Sequence, residues 1–262
     1  MKIIVCIKQV PDTSEVKLDP VTGTLIRQGI PSIINPDDLA GIEVALDLKD
    51  QHQHEVIALS MGPAQADSAL REALAMGCDG AYLISDRLFG GADTWATSKT
   101  IAGALKMIGY DLIIAGRQAI DGDTAQVGPQ IAEHLDIPQI TYAKSVTMTD
   151  DKITVKRQYE DRYQLLQAKL PALITTLQEM NNPRYMTVSG VLSAYREKEV
   201  KLLTYDDIKA AVEKADIGLK GSPTKVKQSF NKAAKATGKV HEVSADEAVK
   251  LIIDELKTKH IL

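Results

Sequence analysis

The chain is short of cysteine, of extended apolar runs and of any excess of one charge, and each shortage removes a class of function. Its two cysteines, Cys6 and Cys78, form no CxxC pair and match no metal-ligand spacing, so neither a disulfide framework nor a zinc centre organises the fold. They read as reduced and structural. Nowhere do about 18 apolar residues follow one another, and no membrane span is expected. Lys and Arg number 31 against 35 Asp and Glu, with the signs interspersed. Without a basic patch, nucleic acid and anionic membrane surfaces have no electrostatic claim on the protein. The opening Met1-Lys2-Ile3-Ile4-Val5-Cys6 lacks signal-peptide architecture, and a cytoplasmic location is expected. Also missing are G-x-S-x-G, the P-loop and G-x-G-x-x-G, which removes the main support for serine hydrolase, P-loop NTPase and standard dinucleotide dehydrogenase readings. The histidines do not cluster: His52 and His54 lie in a polar stretch, His134 on a helix, His241 and His260 near the end.

What the 262 residues do hold is a hydrophobic fraction of 44%, enough for a large core. Residues 1 to about 140 repeat a short apolar strand, a glycine- or proline-bearing turn and an amphipathic helix. This pattern predicts an α/β fold, a doubly wound, mostly parallel sheet. Strands are expected at Lys2–Val10, Val56–Ser60, Ala81–Ser85 and Leu112–Ala115, with helices at Pro36–Asp50, Ala64–Met76, Thr94–Ile108 and Ala125–Leu135. Right-handed crossovers then gather the loops after the strands on one edge, where open α/β sheets bind ligands.

The loop from Gly116 to Pro129 stands out among these. It follows the buried run Leu112-Ile113-Ile114-Ala115 and precedes a helix carrying Ile131 and Leu135. A helix start leaves backbone N–H groups unpaired and carries partial positive charge, which suits phosphate. Gly116, Gly122 and Gly128 allow close backbone approach, Thr124 and Gln126 add side-chain donors, and Asp121 and Asp123 suit ribose hydroxyls, an adenine amino group or helix capping. A plain surface loop with capping aspartates is the alternative. The loop Asp86–Thr94 reads as a second phosphate candidate or a simple capped helix start, with Asp93 or Thr94 as N-cap and Thr97 in the first turn. Asn35-Pro36-Asp37-Asp38 reads as a helix start.

After about residue 145 the texture changes. Ser145–Met148 and Lys152–Gln158 predict a hairpin, and residues 171–176 a further buried strand. The domain expectation is a nucleotide-binding α/β domain over 1–180, an extended arm over 181–240 lying on a partner chain, and a C-terminal helix within 241–262 whose Val249, Ile252, Ile253 and Leu256 share a face.

Several segments taken together, in order, resemble the beta subunit of electron transfer flavoprotein: Val5–Asp12, Asn35–Asp38, Met61-Gly62-Pro63, Gly116–Pro129, and Val155-Lys156-Arg157 through Leu170-Pro171. Phe89–Thr94 and Asp121–Pro129 match the clostridial, electron-bifurcating branch. The resemblance implies an adenine-nucleotide alpha-hydrolase-like (Rossmann-like) fold and a heterodimer with an alpha subunit that carries its own FAD. It implies a nucleotide site here that holds AMP in mitochondrial-type members and, in bifurcating ones, a second FAD reduced by NADH. In that scheme electrons pass to ferredoxin or flavodoxin and, through the alpha subunit, to an acyl-CoA dehydrogenase or enoyl-CoA reductase. Gly122 and Val127-Gly128-Pro129 depart from the AMP pattern and favour FAD. Carried over by position, the ligand contacts are Cys6, Lys8, Asn35, Asp38, Met61, Gly62, Ala92, Asp93, Thr94, Thr97, Gly116, Arg117, Gln118, Asp121, Gly122, Asp123, Thr124, Gln126, Val127 and Gly128. No catalytic side chain or metal is implied, because the redox chemistry is the flavin's. Residues 183–192 match the family's loop for docking the dehydrogenase, with Arg184, Tyr185 and Val188 as its contacts. The competing readings are a non-bifurcating carrier holding structural AMP and a universal-stress-type nucleotide-binding module.

Overall fold

The computed structural model describes residues 1–12, 31–227 and 238–262. They divide into two compact units, Met1–Lys227 and Gln228–Leu262.

The first unit is built on a nine-stranded sheet. In chain order its strands are β1 (Lys2–Cys6), β4 (Glu55–Met61), β5 (Gly80–Ile84), β6 (Leu112–Gly116), β7 (Gln139–Thr149), β8 (Lys152–Gln158), β9 (Tyr163–Lys169), β10 (Ala172–Thr176) and β11 (Val200–Leu203); β2 (Gln9–Pro11) and β3 (Ser32–Ile34) pair separately. The spatial order is β11-β5-β4-β1-β6-β10-β7-β8-β9. All neighbours are parallel except β7–β8 and β8–β9. The doubly wound, mostly parallel α/β architecture is therefore present.

Both faces of the central strands β1, β4, β6 and β10 are covered, which is why these strands read as continuous apolar runs. Ile3 and Val5 point to the layer of α1 (Pro36–His52) and α2 (Asp67–Met76), where Ile42, Leu46, Leu70 and Leu74 pack. Ile4 points the other way, with Ile113 and Leu59, against Ile101 and Leu105 of α3 (Thr94–Ile108) and Ile131 of α4 (Val127–Leu135). The chain runs outward from β1 through β4 to β5, then returns to place β6 on β1's other side. Strand order thus reverses beside β1, and a crevice forms at the carboxyl ends of β1, β4 and β6.

Several expectations need correction. The strand expected over Lys2–Val10 is two: β1 ends at Cys6, Ile7 N still reaches Leu59 O at 2.8 Å, and Gln9–Pro11 then pairs antiparallel with Ser32–Ile34. The helix expected from Ala64 opens as a 3-10 turn and becomes α-helical at Asp67, and the one expected from Ala125 begins at Val127 because Ala125 has φ 53°. The hairpin is a three-strand meander, β7 being longer than expected and β9 unforeseen. Residues 181–221, expected to hold little regular order, contain α5 (Val188–Arg196), β11, α6 (Tyr205–Ile208) and α7 (Gly218–Gly221), and β11 closes the sheet edge on β5. Within the stretch 181–240, residues 228–237 lie outside the described residues.

In the second unit, α8 (Ala245–Thr258) starts with a capping box, Glu247 Oε2 accepting from Ser244 N at 3.1 Å and from Ser244 Oγ at 2.8 Å. Among the described residues no helix is long and apolar enough to cross a membrane, and no group of three or more His, Cys, Asp and Glu is placed to hold a metal.

Candidate functional site

A cavity of about 710 Å³ occupies the crevice at the strand ends, within the range of small-molecule sites. Its walls come from four strand-to-helix connections: Cys6–Lys8, Met61–Pro63, Ile84–Thr94 and Ala115–Gly128. Eighteen of the twenty ligand contacts expected from sequence line it: Cys6, Lys8, Asp38, Met61, Gly62, Ala92, Asp93, Thr94, Thr97, Gly116, Arg117, Gln118, Gly122, Asp123, Thr124, Gln126, Val127 and Gly128. Asn35 and Asp121 stand behind the wall.

The reason lies in the first turn of α1, where Asn35, Asp37 and Asp38 act as a clamp on neighbouring loops. Asn35 Nδ2 donates to Gln118 O at 2.8 Å, and its Oδ1 accepts from Ile120 N at 3.1 Å. Asp37 accepts from Gln178 N at 2.9 Å, and Arg117 Nε stands 3.3 Å from its Oδ2. Asp38 joins two strand ends, Oδ2 accepting from Lys8 N at 2.7 Å and Oδ1 from Gly116 N at 3.0 Å. Asp121, its side chain 3% exposed, pairs with Lys8 Nζ at 2.7 Å. Proline-led helix capping is thus only part of this motif's work; it fixes the shape of the cavity rim.

Burial pushes the Asp38 carboxyl up to about 7, against the downward pull of the Lys8 and Gly116 N–H groups. Burial, with the Asp38 charge beside it, also raises the Cys6 thiol to about 12, so Cys6 lines the cavity as a neutral, unreactive group. The folded chain retains a proton on Asp38 that the unfolded chain gives up near 3.8. Stability contributed by this group is therefore full below pH 4 and lost as pH rises through 7, on the order of 4 kcal/mol. We expect Asp38→Asn to flatten the fall in unfolding free energy between pH 5 and pH 8 in urea titrations. An unchanged difference between the two pH values would show that the carboxyl is ionised throughout.

The long loop delivers the start of α4 to the cavity. Gly128 sits so close to β10 that a Cβ there would lie 2.9 Å from Thr175 Cγ2. The N-cap residue Gln126 makes no side-chain capping bond; its Oε1 instead accepts from Thr94 Oγ1 at 2.9 Å, tying α4 to α3. The first-turn N–H groups of α4 are therefore left without a side-chain cap, near Arg117, whose Nε faces Asp37 Oδ2 at 3.3 Å. Gln118 Nε2 donates to Asp123 Oδ1, bracing the loop where Asp123 takes φ 52°. Uncapped helix N–H groups beside a guanidinium form a donor set for an anion.

On the opposite wall Asp93 is already engaged. Its Oδ1 caps α3 through Ala96 N at 3.0 Å, and its Oδ2 accepts from Thr224 N at 3.0 Å and Thr224 Oγ1 at 2.7 Å. Burial opposes its charge, but these bonds outweigh it and hold the carboxyl below its ordinary range. Asp93 thus shapes the wall and anchors the segment after α7. The sequence reading missed Ile84, Phe89, Ile101 and Ile131, which supply apolar surface. Ile101 and Ile131 lie at helical spacing on core-facing sides, where pattern alone does not separate a cavity floor from a core.

The segment expected to dock a partner lies away from this cavity. Tyr185 is 95% and Val188 81% exposed, and Met186, Leu192 and Tyr195 extend the apolar surface. Arg184 is different: its guanidinium lies against Glu43, Asp47 and Asp50 of α1 at 3.0, 3.2 and 2.9 Å.

Comparison with known proteins places names beside this geometry. A family model described as "Electron transfer flavoprotein domain" matches residues 22–208. The chain is 55% identical over 262 residues, all of both chains, to the electron transfer flavoprotein subunit beta of Clostridium acetobutylicum. It is 51% identical over 265 residues, again all of both chains, to the caffeyl-CoA reductase-Etf complex subunit CarD of Acetobacterium woodii. With the acryloyl-CoA reductase electron transfer subunit gamma of Anaerotignum propionicum it shares 47% identity over 269 residues, all of both chains.

Proposed function

The chain belongs to the electron transfer flavoprotein family as a beta subunit, and from that premise we propose that its cavity holds FAD and that, paired with an alpha subunit, it oxidises NADH and bifurcates the electrons. One branch goes to ferredoxin or flavodoxin and the other, through the alpha subunit, to an acyl-CoA dehydrogenase or enoyl-CoA reductase.

The observation that carries the reading is a large cavity at the reversal of strand order, with an anion-binding end and an apolar end. The uncapped start of α4, with the positive charges of Arg117 and Lys8 near it, suits a pyrophosphate. Gln118, Asp123, Thr124 and Gln126 offer hydrogen bonds to ribose and adenine. Met61, Ile84 and Phe89 give apolar surface for a planar ring system, and a mononucleotide alone would leave part of this room empty. When bound, the flavin supplies the hydride and electron chemistry; the chain's own residues orient it, exclude water and tune its surroundings. Relatives whose names place them with caffeyl-CoA and acryloyl-CoA reductases support the choice of terminal acceptor.

The test is the nucleotide content of the chain co-expressed with its alpha subunit, by acid release and chromatography, together with NADH bleaching of flavin absorbance. Two FAD per heterodimer with rapid bleaching is the expected result. One FAD plus one AMP, inert to NADH, would make the chain a structural and docking subunit instead.

A further inference from the structure

The sequence pattern puts Arg184 among the residues offered to a partner; the structure turns it inward. Its Nε donates to both Glu43 oxygens at 3.1 Å, one terminal nitrogen reaches Glu43 Oε1 at 3.0 Å and Asp47 Oδ1 at 3.2 Å, and the other reaches Asp50 Oδ2 at 2.9 Å. The backbone N–H of Arg184 adds a bond to Glu43 Oε2 at 2.8 Å. Glu43, Asp47 and Asp50 lie one turn apart along a single face of α1, and a planar guanidinium is the group able to meet all three. Asn181 Nδ2, donating to Ala40 O at 3.0 Å, fastens the same segment three residues earlier.

Beyond this clasp the chain is bare for two residues and then fixed again. Thr187 Oγ1 accepts from Gly190 N at 2.9 Å to cap α5, and Gly190 packs so close to α2 that a Cβ there would stand 2.3 Å from Ala75 O. Tyr185 and Met186 therefore span two anchored ends. A short exposed segment held at both ends has little conformational entropy left to lose on binding.

We propose that Arg184 is a positioning residue: through the carboxylates of α1 it pre-organises Tyr185–Val188 for docking and does not itself touch the partner. This rests on the reading of that segment as the dehydrogenase-docking loop. Glu43 gives the discriminating test because its side chain is only 9% exposed and out of a partner's reach. The flavin-loaded heterodimer is titrated with a purified acyl-CoA dehydrogenase, and kcat and KM for that protein are read separately. Arg184→Gln and Glu43→Gln are each expected to raise KM about tenfold with kcat unchanged, and the double variant no further than either single one. A rise in Arg184→Gln without one in Glu43→Gln would make Arg184 a direct contact and overturn the inference. Normal KM in both, with a raised KM in Val188→Asp, would overturn it while leaving the docking reading intact. Normal KM in Val188→Asp would remove the docking reading and the inference with it. Should Glu43→Gln fold poorly, Asp50→Asn, at a largely exposed carboxylate, is expected to raise KM more modestly, and no rise there would overturn the inference.

Discussion

Gly116→Ala is expected to bring the nucleotide content of the purified heterodimer below about a tenth of normal, the collapse of a wall that tolerates no side chain. A Cβ on Gly116 would lie 2.0 Å from Asp38 Oδ1 and 2.9 Å from Asp38 N. To relieve this, the carboxylate must leave the bond it accepts from Gly116 N, and with it goes the tie between the ends of β1 and β6. Overpacking costs about 1–3 kcal/mol and a lost hydrogen bond about 0.5–1.5. Part of this is recovered if α1 shifts, so a stability loss of about 3 kcal/mol is expected. Gly122→Ala is the control: it lies in the same loop and lines the same cavity, but a Cβ there meets nothing within 4 Å. That variant should fold with wild-type stability. The measurements are released nucleotide by chromatography and urea unfolding. A Gly116→Ala protein with full nucleotide content would mean that the α1 clamp does not set the cavity's shape.

The contrast between these two glycines marks how far the sequence could be read. Both sit in a polar loop at a strand-to-helix junction, and both looked like places for close backbone approach. Only the fold brings Asp38, distant in the chain, to within hydrogen-bonding distance of Gly116, while Gly122 faces open space. The same limit applies to Asn35 and Asp121. Their motifs lie at the cavity, but whether a polar side chain faces it or braces it from behind depends on contacts between segments some eighty or more residues apart. What was legible follows from local physics. Continuous apolar runs signalled strands covered on both faces, and helical spacing signalled the layers above and below. What was not legible depends on pairing partners. The exposed-buried pattern of β9 is weak, with Leu165 largely exposed, and the strand is held by its register with β8. The four-residue β11 carries two exposed positions and gains its place from pairing with β5. Arg184 shows the limit most sharply: its chemistry suited an interface, and only the spacing of Glu43, Asp47 and Asp50 along α1 gave it another task.

Val188→Asp is expected to raise KM for an acyl-CoA dehydrogenase about 30-fold, while NADH reduction of an artificial dye stays near normal. The residue is 81% exposed at the first position of α5, beside the exposed Tyr185, Met186 and Leu192. Such a cluster can close against a partner only by losing its water, and a carboxylate placed in its centre must then be desolvated without a counter-charge. A central anchor contributes about 2 kcal/mol or more to an interface, which sets the size of the effect. Damage to the fold would not explain such a loss. An acidic side chain in the first turn of a helix interacts favourably with its N-terminal partial charge, so α5 should be held or slightly strengthened, by about 0.3–1 kcal/mol. The variant should therefore unfold no earlier in urea than the wild type and keep its nucleotide. Docking would fail while the local structure improved, a combination that a misfolded loop cannot produce. A KM within about twofold of wild type would place the dehydrogenase elsewhere on the heterodimer and leave this apolar surface without its proposed partner.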